Sequence, residues 1–156
     1  DKVSEILSAY SENLGIAYQI RDDLSDLGAE GETNDLAGLR PSLLLAIGHE
    51  RAKDEQKEIL TSVWRRQLPE NVTFADIETM YTQLKAIDRA DTLLATYKEE
   101  AVRSLRELEN ASLKGLLRRV VGKIFNETIV KGWCSETQSL SELEKVREQN
   151  GATIVA

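Results

Sequence analysis

Asp22, Asp23 and Asp26 place three carboxylates within five residues. On a helix, Asp22 and Asp26 lie one turn apart on the same face, and Asp23 sits about 100° round from Asp22. Like charges at this spacing repel by roughly a few tenths of a kcal/mol on an exposed helix, and by more where partly buried. A divalent cation reverses the sign of that interaction. Mg²⁺ is the natural candidate: it takes oxygen ligands, keeps several waters and bridges one or two carboxylates to substrate phosphates. The cluster comes late in its helix, where the dipole gives a carboxylate no help, and this placement favours a functional explanation. Spacing alone does not separate such a site from a solvated acidic face, because acidic triples of this kind are common.

The elements around the cluster follow from periodicity. Val3, Leu7, Tyr10, Leu14, Ala17, Ile20, Leu24 and Leu27 recur every three or four residues and predict a helix over about 2–27. Gly28 to Gly38, with three glycines, acids and an Asn, reads as a loop. Pro41 suits the first turn of a second helix that runs to about Gln67. The run Leu43-Leu44-Leu45-Ala46-Ile47 is apolar on every side, so it is expected to be buried all round. Its cover is expected from a partner half, a second copy or a rearrangement. Beyond a break at Pro69 to Val72, Thr73 offers an N-cap with Asp76 at the capping-box position. Phe74, Ile77, Tyr81, Leu84 and Ile87 form the next stripe. Leu94, Tyr97, Ala101, Leu105 and Leu108 form another after a kink near Asp88–Asp91. Ser112 is the expected cap of a last strong helix whose stripe is Leu113, Leu116, Leu117, Val120, Val121, Ile124 and Phe125. A short helix over about 139–149 and a mobile tail complete the expectation.

No stretch alternates as a strand would, so the fold class is all-α, a helical bundle. Only two prolines interrupt 156 residues, and aromatic residues are 5% of them, which favours helix over sheet. The net charge of −7 argues against a nucleic-acid surface. No apolar run approaches the roughly 20 residues that span a bilayer. One cysteine, Cys134, excludes an intrachain disulfide and a multi-cysteine metal site, and fits a reducing, cytoplasmic setting. The start at Asp1, directly inside a helical pattern, reads as part of a larger fold.

Other chemistry-bearing residues read as structural. His49 stands alone, and a lone histidine is more often a surface or satisfied core residue than a ligand. Cys134 beside Trp133 has no flanking base to activate a thiol. Trp64-Arg65-Arg66 and Arg118-Arg119 are short basic runs on solvated helix faces, with interdomain or subunit contact as the lesser reading.

The residues around the acidic turn sharpen its meaning. The stretch Leu14-Gly15-Ile16-Ala17-Tyr18-Gln19-Ile20-Arg21-Asp22-Asp23-Leu24-Ser25-Asp26 resembles the second aspartate-rich motif of trans-isoprenyl diphosphate synthases. That motif has a small residue, an aromatic, Gln, two variable residues, then Asp-Asp-x-x-Asp. Tyr18 stands where Phe is usual. Asp35, Arg40, Ser42 and Leu43-Leu44-Leu45 resemble the loop end, basic residue and helix start that follow in the family. The resemblance covers about residues 3–125 and is specific over the first 45.

The resemblance implies the C-terminal portion of an isoprenoid-synthase-type bundle over 1–126, with an extension over 127–156. It implies that Asp22, Asp23 and Asp26 hold Mg²⁺ shared with a substrate diphosphate, that Gln19 orients substrate or stabilises developing positive charge, and that Arg40 contacts diphosphate. It further implies isoprenyl diphosphate substrates and a homodimer. The expected activity, condensation of an allylic diphosphate with isopentenyl diphosphate, belongs to a parent protein, and this chain alone is expected to be inactive. Two departures stand out. The stretch Glu30-Gly31-Glu32-Thr33-Asn34 has no base where family members commonly carry a second lysine, and the family's first aspartate-rich motif is not in this chain. These departures keep two alternatives open: a non-catalytic partner subunit of a prenyltransferase, and an unrelated helical bundle with an acidic surface turn.

Overall fold

A computed structural model of the chain describes residues 1–27 and 39–125. Among the described residues there are six α-helices, one 3₁₀ turn and no strand, so the fold is all-α. The helices are α1 (Lys2–Ser25), α2 (Leu43–Arg51), α3 (Asp54–Trp64), α4 (Phe74–Gln83), α5 (Ala86–Ser104) and α6 (Ala111–Ile124), with the 3₁₀ turn at Leu105–Glu107. The chain forms two compact units, residues 1–114 and 115–156. The loop expected over 28–38, with Asp35 and the base-free Glu30–Asn34 stretch, lies outside the described residues. So do Trp133, Cys134, the helix expected over 139–149 and the tail.

Helix α1 starts where its sequence predicts. The Asp1 carboxylate accepts a hydrogen bond from Val3 N at 3.3 Å, and Tyr10, Ala17 and Ile20 form its buried stripe. Val3, at the frayed end of the stripe, is 45% exposed. The main partner of α1 is α5. In α2, Leu44, Leu45 and Ile47 are buried as the all-apolar run requires. Its other members, Leu43 and Ala46, are only half-buried, so the run is covered on one side from within the chain. Leu60 and Val63 of α3, Ile77 and Tyr81 of α4, and Ala86 and Ala90 of α5 complete one apolar cluster around it.

The single helix expected from Pro41 to Gln67 is two helices. Ala52 and Lys53 are extended, and Asp54 has a φ of 48°, so the chain turns a corner between α2 and α3. No Gly or Pro marks that corner. Its signal is electrostatic: Arg51 closes α2, and Asp54 and Glu55 open α3, each complementing its helix dipole. Side chains hold the corner together. Lys57 Nζ approaches His49 Nδ1 at 3.1 Å and donates to the His49 carbonyl; Nε2 meets Thr61 Oγ1 at 3.1 Å, and that hydroxyl donates to Lys57 O at 2.6 Å. His49 is therefore a satisfied structural residue.

Three other local expectations move. Pro41 precedes the helix instead of opening it, and Ser42 is the N-cap, accepting from Leu45 N at 3.2 Å. The break expected near Asp88–Asp91 lies at Leu84–Lys85, where Lys85 has a φ of 53°. Arg51 explains how that corner is tolerated, since Nη1 donates to the Leu84 and Lys85 carbonyls at 3.0 and 2.8 Å. Asn110, not Ser112, caps α6, its Oδ1 accepting from Leu113 N at 2.9 Å. The capping box at Thr73 and Asp76 forms in full.

Candidate functional site

A groove of about 790 Å³ opens between α1, α2 and α5. Ile16, Ile20, Leu43, Ala46, Leu93 and Tyr97 give it apolar walls, while Gln19, Asp22, Asp23 and Ser42 supply polar groups. This volume lies within the usual range for a ligand-sized cleft, roughly 300–1,000 Å³. Helical spacing explains the mixture: Ile16, Gln19, Ile20 and Asp23 fall on one side of α1 at intervals of three and four.

Of the five site residues expected from sequence, Gln19, Asp22 and Asp23 line this groove, whereas Asp26 and Arg40 do not. Asp26 is the C-cap of α1, its N–H donating to the Asp22 carbonyl at 3.0 Å. Arg40 is exposed, just ahead of Pro41. The pair that shares the groove is thus Asp22 with Asp23, not Asp22 with Asp26. Among the described residues, no three His, Cys, Asp or Glu side chains converge as a ready-made metal cluster.

The two groove carboxylates have different partners. Asp23 Oδ2 accepts from Leu43 N, the first residue of α2, at 2.6 Å. This charge-assisted bond across twenty residues satisfies a donor that the helix itself cannot. It also places a carboxylate at the positive end of the α2 dipole. Asp22 instead pairs with its neighbour: Arg21 Nη2 and Nε reach the same oxygen, Oδ1, at 2.8 and 3.3 Å. That guanidinium also lies 4.4 Å from the centre of the Tyr18 ring, a cation–π contact. Asp22, the fork of Arg21 hydrogen-bonded to it, is the main reason the guanidinium holds its proton even more firmly than usual.

Behind the groove, the phenol of Tyr81 in α4 is buried, and the Ser42 hydroxyl is one of the groups that bear on its titration. Sequence reasoning did not assign Arg21, Tyr81, Leu93 or Tyr97 to the site. For Leu93 and Tyr97 no motif exists to find them, because a groove wall and a core stripe use the same apolar residues.

Burial pushes the Tyr81 phenol up to about 12; the Ser42 hydroxyl opposes this, and the Asp23 and Glu78 charges add to it. The folded value thus lies above the ordinary 10.0 of an exposed tyrosine. Its contribution to stability is complete below about pH 10 and is lost as pH rises from there toward 12. Between pH 9 and 11, urea-unfolding stability is expected to fall by about 1 kcal/mol more in the unsubstituted protein than in Tyr81→Phe. Equal losses in the two proteins would rule Tyr81 out as the source.

No protein-family model, curated protein or solved structure matches the chain. No helix among the described residues is long and apolar enough to cross a membrane.

Proposed function

We propose that the groove is the diphosphate-and-metal half of a prenyltransferase site, in a protein that condenses an allylic diphosphate with isopentenyl diphosphate. The observation that carries this reading is the composition of the groove. Oxygen donors of Gln19, Asp22, Asp23 and Ser42 sit beside an apolar wall of Ile16, Ile20, Leu43, Ala46 and Leu93. An isoprenyl diphosphate has the same two parts, a charged head and a hydrocarbon tail.

The donor set fits Mg²⁺. Asp22 and Asp23 offer hard oxygen ligands without thiol or imidazole, and Mg²⁺ commonly needs only one or two carboxylates beside substrate phosphates and water. Asp22, Asp23 and Asp26 would hold the ion, and Arg40 would contact the diphosphate. Bound there, Mg²⁺ neutralises the charge that develops on a departing diphosphate. The chain's own groups do the rest. The apolar wall takes up the tail, at about 0.8 kcal/mol for each methylene removed from water. It also keeps water away from the electron-poor allylic carbon after the diphosphate leaves, so that the second substrate's double bond is the nucleophile. Gln19, one turn before Asp23, is placed to orient substrate by hydrogen bonding. A homodimeric, cytoplasmic enzyme belongs to the same reading.

The test is product formation by the full-length protein given Mg²⁺, dimethylallyl diphosphate and isopentenyl diphosphate. An elongated prenyl diphosphate with release of inorganic diphosphate is expected. A protein that binds both substrates in the presence of Mg²⁺ and never joins them would instead be a non-catalytic partner subunit. That second reading draws on the engagement of Asp23 by the α2 backbone. Absence of any Mg²⁺-dependent diphosphate binding sinks both and leaves the acidic turn as a surface feature.

A further inference from the structure

Arg21 occupies a position that the resembled motif leaves variable, yet its charged head is closely placed. One face lies on the Tyr18 ring and one edge on Asp22 Oδ1, and both of those residues line the groove. We propose that Arg21 is a diphosphate-binding residue, parked on Asp22 until a metal-bound diphosphate arrives. This inference rests on the function proposed above and assigns a further binding residue to the same site.

The physical reason is a competition for one carboxylate. A guanidinium and a divalent cation on the same Asp22 carboxylate repel each other, so the cation displaces Arg21 from its resting partner. The displaced guanidinium can then donate to the incoming diphosphate, the anion that the cation brings with it. Stacking on Tyr18 keeps the guanidinium at the rim of the groove during the exchange. Its planar fork matches phosphate oxygens in a bidentate way that an ammonium cannot. The sequence leaves room for such a role: Glu30-Gly31-Glu32-Thr33-Asn34 has no basic residue, so a cation from α1 would replace one the loop does not carry.

Two effects of opposite sign follow from one substitution. Without its resting partner, Asp22 in Arg21→Gln is more available to a cation, so Mn²⁺ alone is expected to bind about threefold more tightly at low ionic strength. The same variant is expected to bind inorganic diphosphate in the presence of saturating Mn²⁺ about tenfold more weakly. Electron paramagnetic resonance reads the first arm and titration calorimetry the second, both on the full-length protein. Arg21→Lys, which keeps the charge and loses the fork, is expected to fall between the two in the second arm. If diphosphate binds the unsubstituted protein and Arg21→Gln equally well, the assignment of Arg21 fails while the metal–diphosphate reading stands. Weakening of both arms in Arg21→Gln likewise overturns it, since that pattern marks a structural role. If the unsubstituted protein binds no diphosphate with Mn²⁺, the underlying function and this assignment fall together.

Discussion

Asp22→Ala and Asp23→Ala are expected to abolish prenyl transfer in different ways, the first with the fold intact and the second with the fold weakened. Asp22 pairs with Arg21 at the surface, its side chain 48% exposed. Exposed ion pairs contribute little, so the loss of stability in Asp22→Ala is expected to be within about 0.5 kcal/mol. Asp23 is different, because its Oδ2 is the acceptor for Leu43 N at the start of α2. Removing it strands a partly buried donor and takes a charge from the positive end of a helix, a loss of about 2 kcal/mol. Against a total stability of roughly 5–15 kcal/mol that is a large fraction, and it should appear directly in the urea midpoint. On the proposed reading, both variants are expected to lose on the order of 100-fold or more in Mg²⁺-dependent turnover, since each removes a carboxylate that would hold the ion. Asp23→Asn separates the two roles. Its amide oxygen can still accept from Leu43 N, so stability should largely return, while turnover should not. The division of labour is refuted if Asp23→Ala unfolds at the same urea concentration as Asp22→Ala, or if either variant turns over normally.

The helices were legible wherever a periodic stripe met a cap. Tyr10, Ala17 and Ile20 in α1, and Thr73 with Asp76 ahead of α4, follow directly from spacing and capping chemistry. The corners were harder to see. Between α2 and α3, and again at Lys85, the backbone turns at ordinary residues, one of them with φ near 50° in each corner. Tertiary contacts make those turns tolerable: the His49–Lys57–Thr61 set at the first, and the two Arg51 bonds at the second. Each joins residues that only the fold brings together, so no local pattern announces it.

The site was legible to the same degree. A motif names Gln19, Asp22 and Asp23, and the helix carries all three to one groove. The motif cannot report what each carboxylate touches, because Leu43 lies twenty residues from Asp23 and its N–H is common to every residue but proline. Spacing puts three carboxylates within one turn but does not say which of them line the groove. Asp22 and Asp26 share a helix face, but α1 ends at Ser25, so Asp26 closes the helix while Asp23 faces α2. Arg21 touches both Tyr18 and Asp22, contacts that its residue type alone does not announce.

Gly48→Val is expected to destabilise the core by about 2–3 kcal/mol, although a glycine inside a helix ordinarily invites replacement. In an exposed helix interior, glycine is less favourable than alanine by about 1 kcal/mol. Here a Cβ at position 48 would lie 3.2 Å from Tyr81 Cδ1 and 3.4 Å from Leu60 Cδ1. Tyr81 is only 2% exposed and Leu60 is fully buried, so neither ring nor branch can retreat into solvent. One methyl can be accommodated by a shift of a few tenths of an ångström, and the helix-propensity gain then offsets the crowding. Gly48→Ala is therefore expected to change stability by less than about 1 kcal/mol. Valine adds two further methyl groups against the same atoms, and overpacking of that kind costs about 1–3 kcal/mol before any loss of the hydrogen bonds it displaces. The crowding also bears on the groove, because the Tyr81 phenol lies close to Ser42, the cap of α2 and part of the groove lining. Pushing the Tyr81 ring away from α2 should loosen that cap and weaken diphosphate binding along with stability. Urea unfolding of the three proteins checks the packing, and Mn²⁺-dependent diphosphate titration checks its reach to the groove. A Gly48→Val protein that unfolds at the unsubstituted midpoint would show that α2 and α4 are not packed this closely.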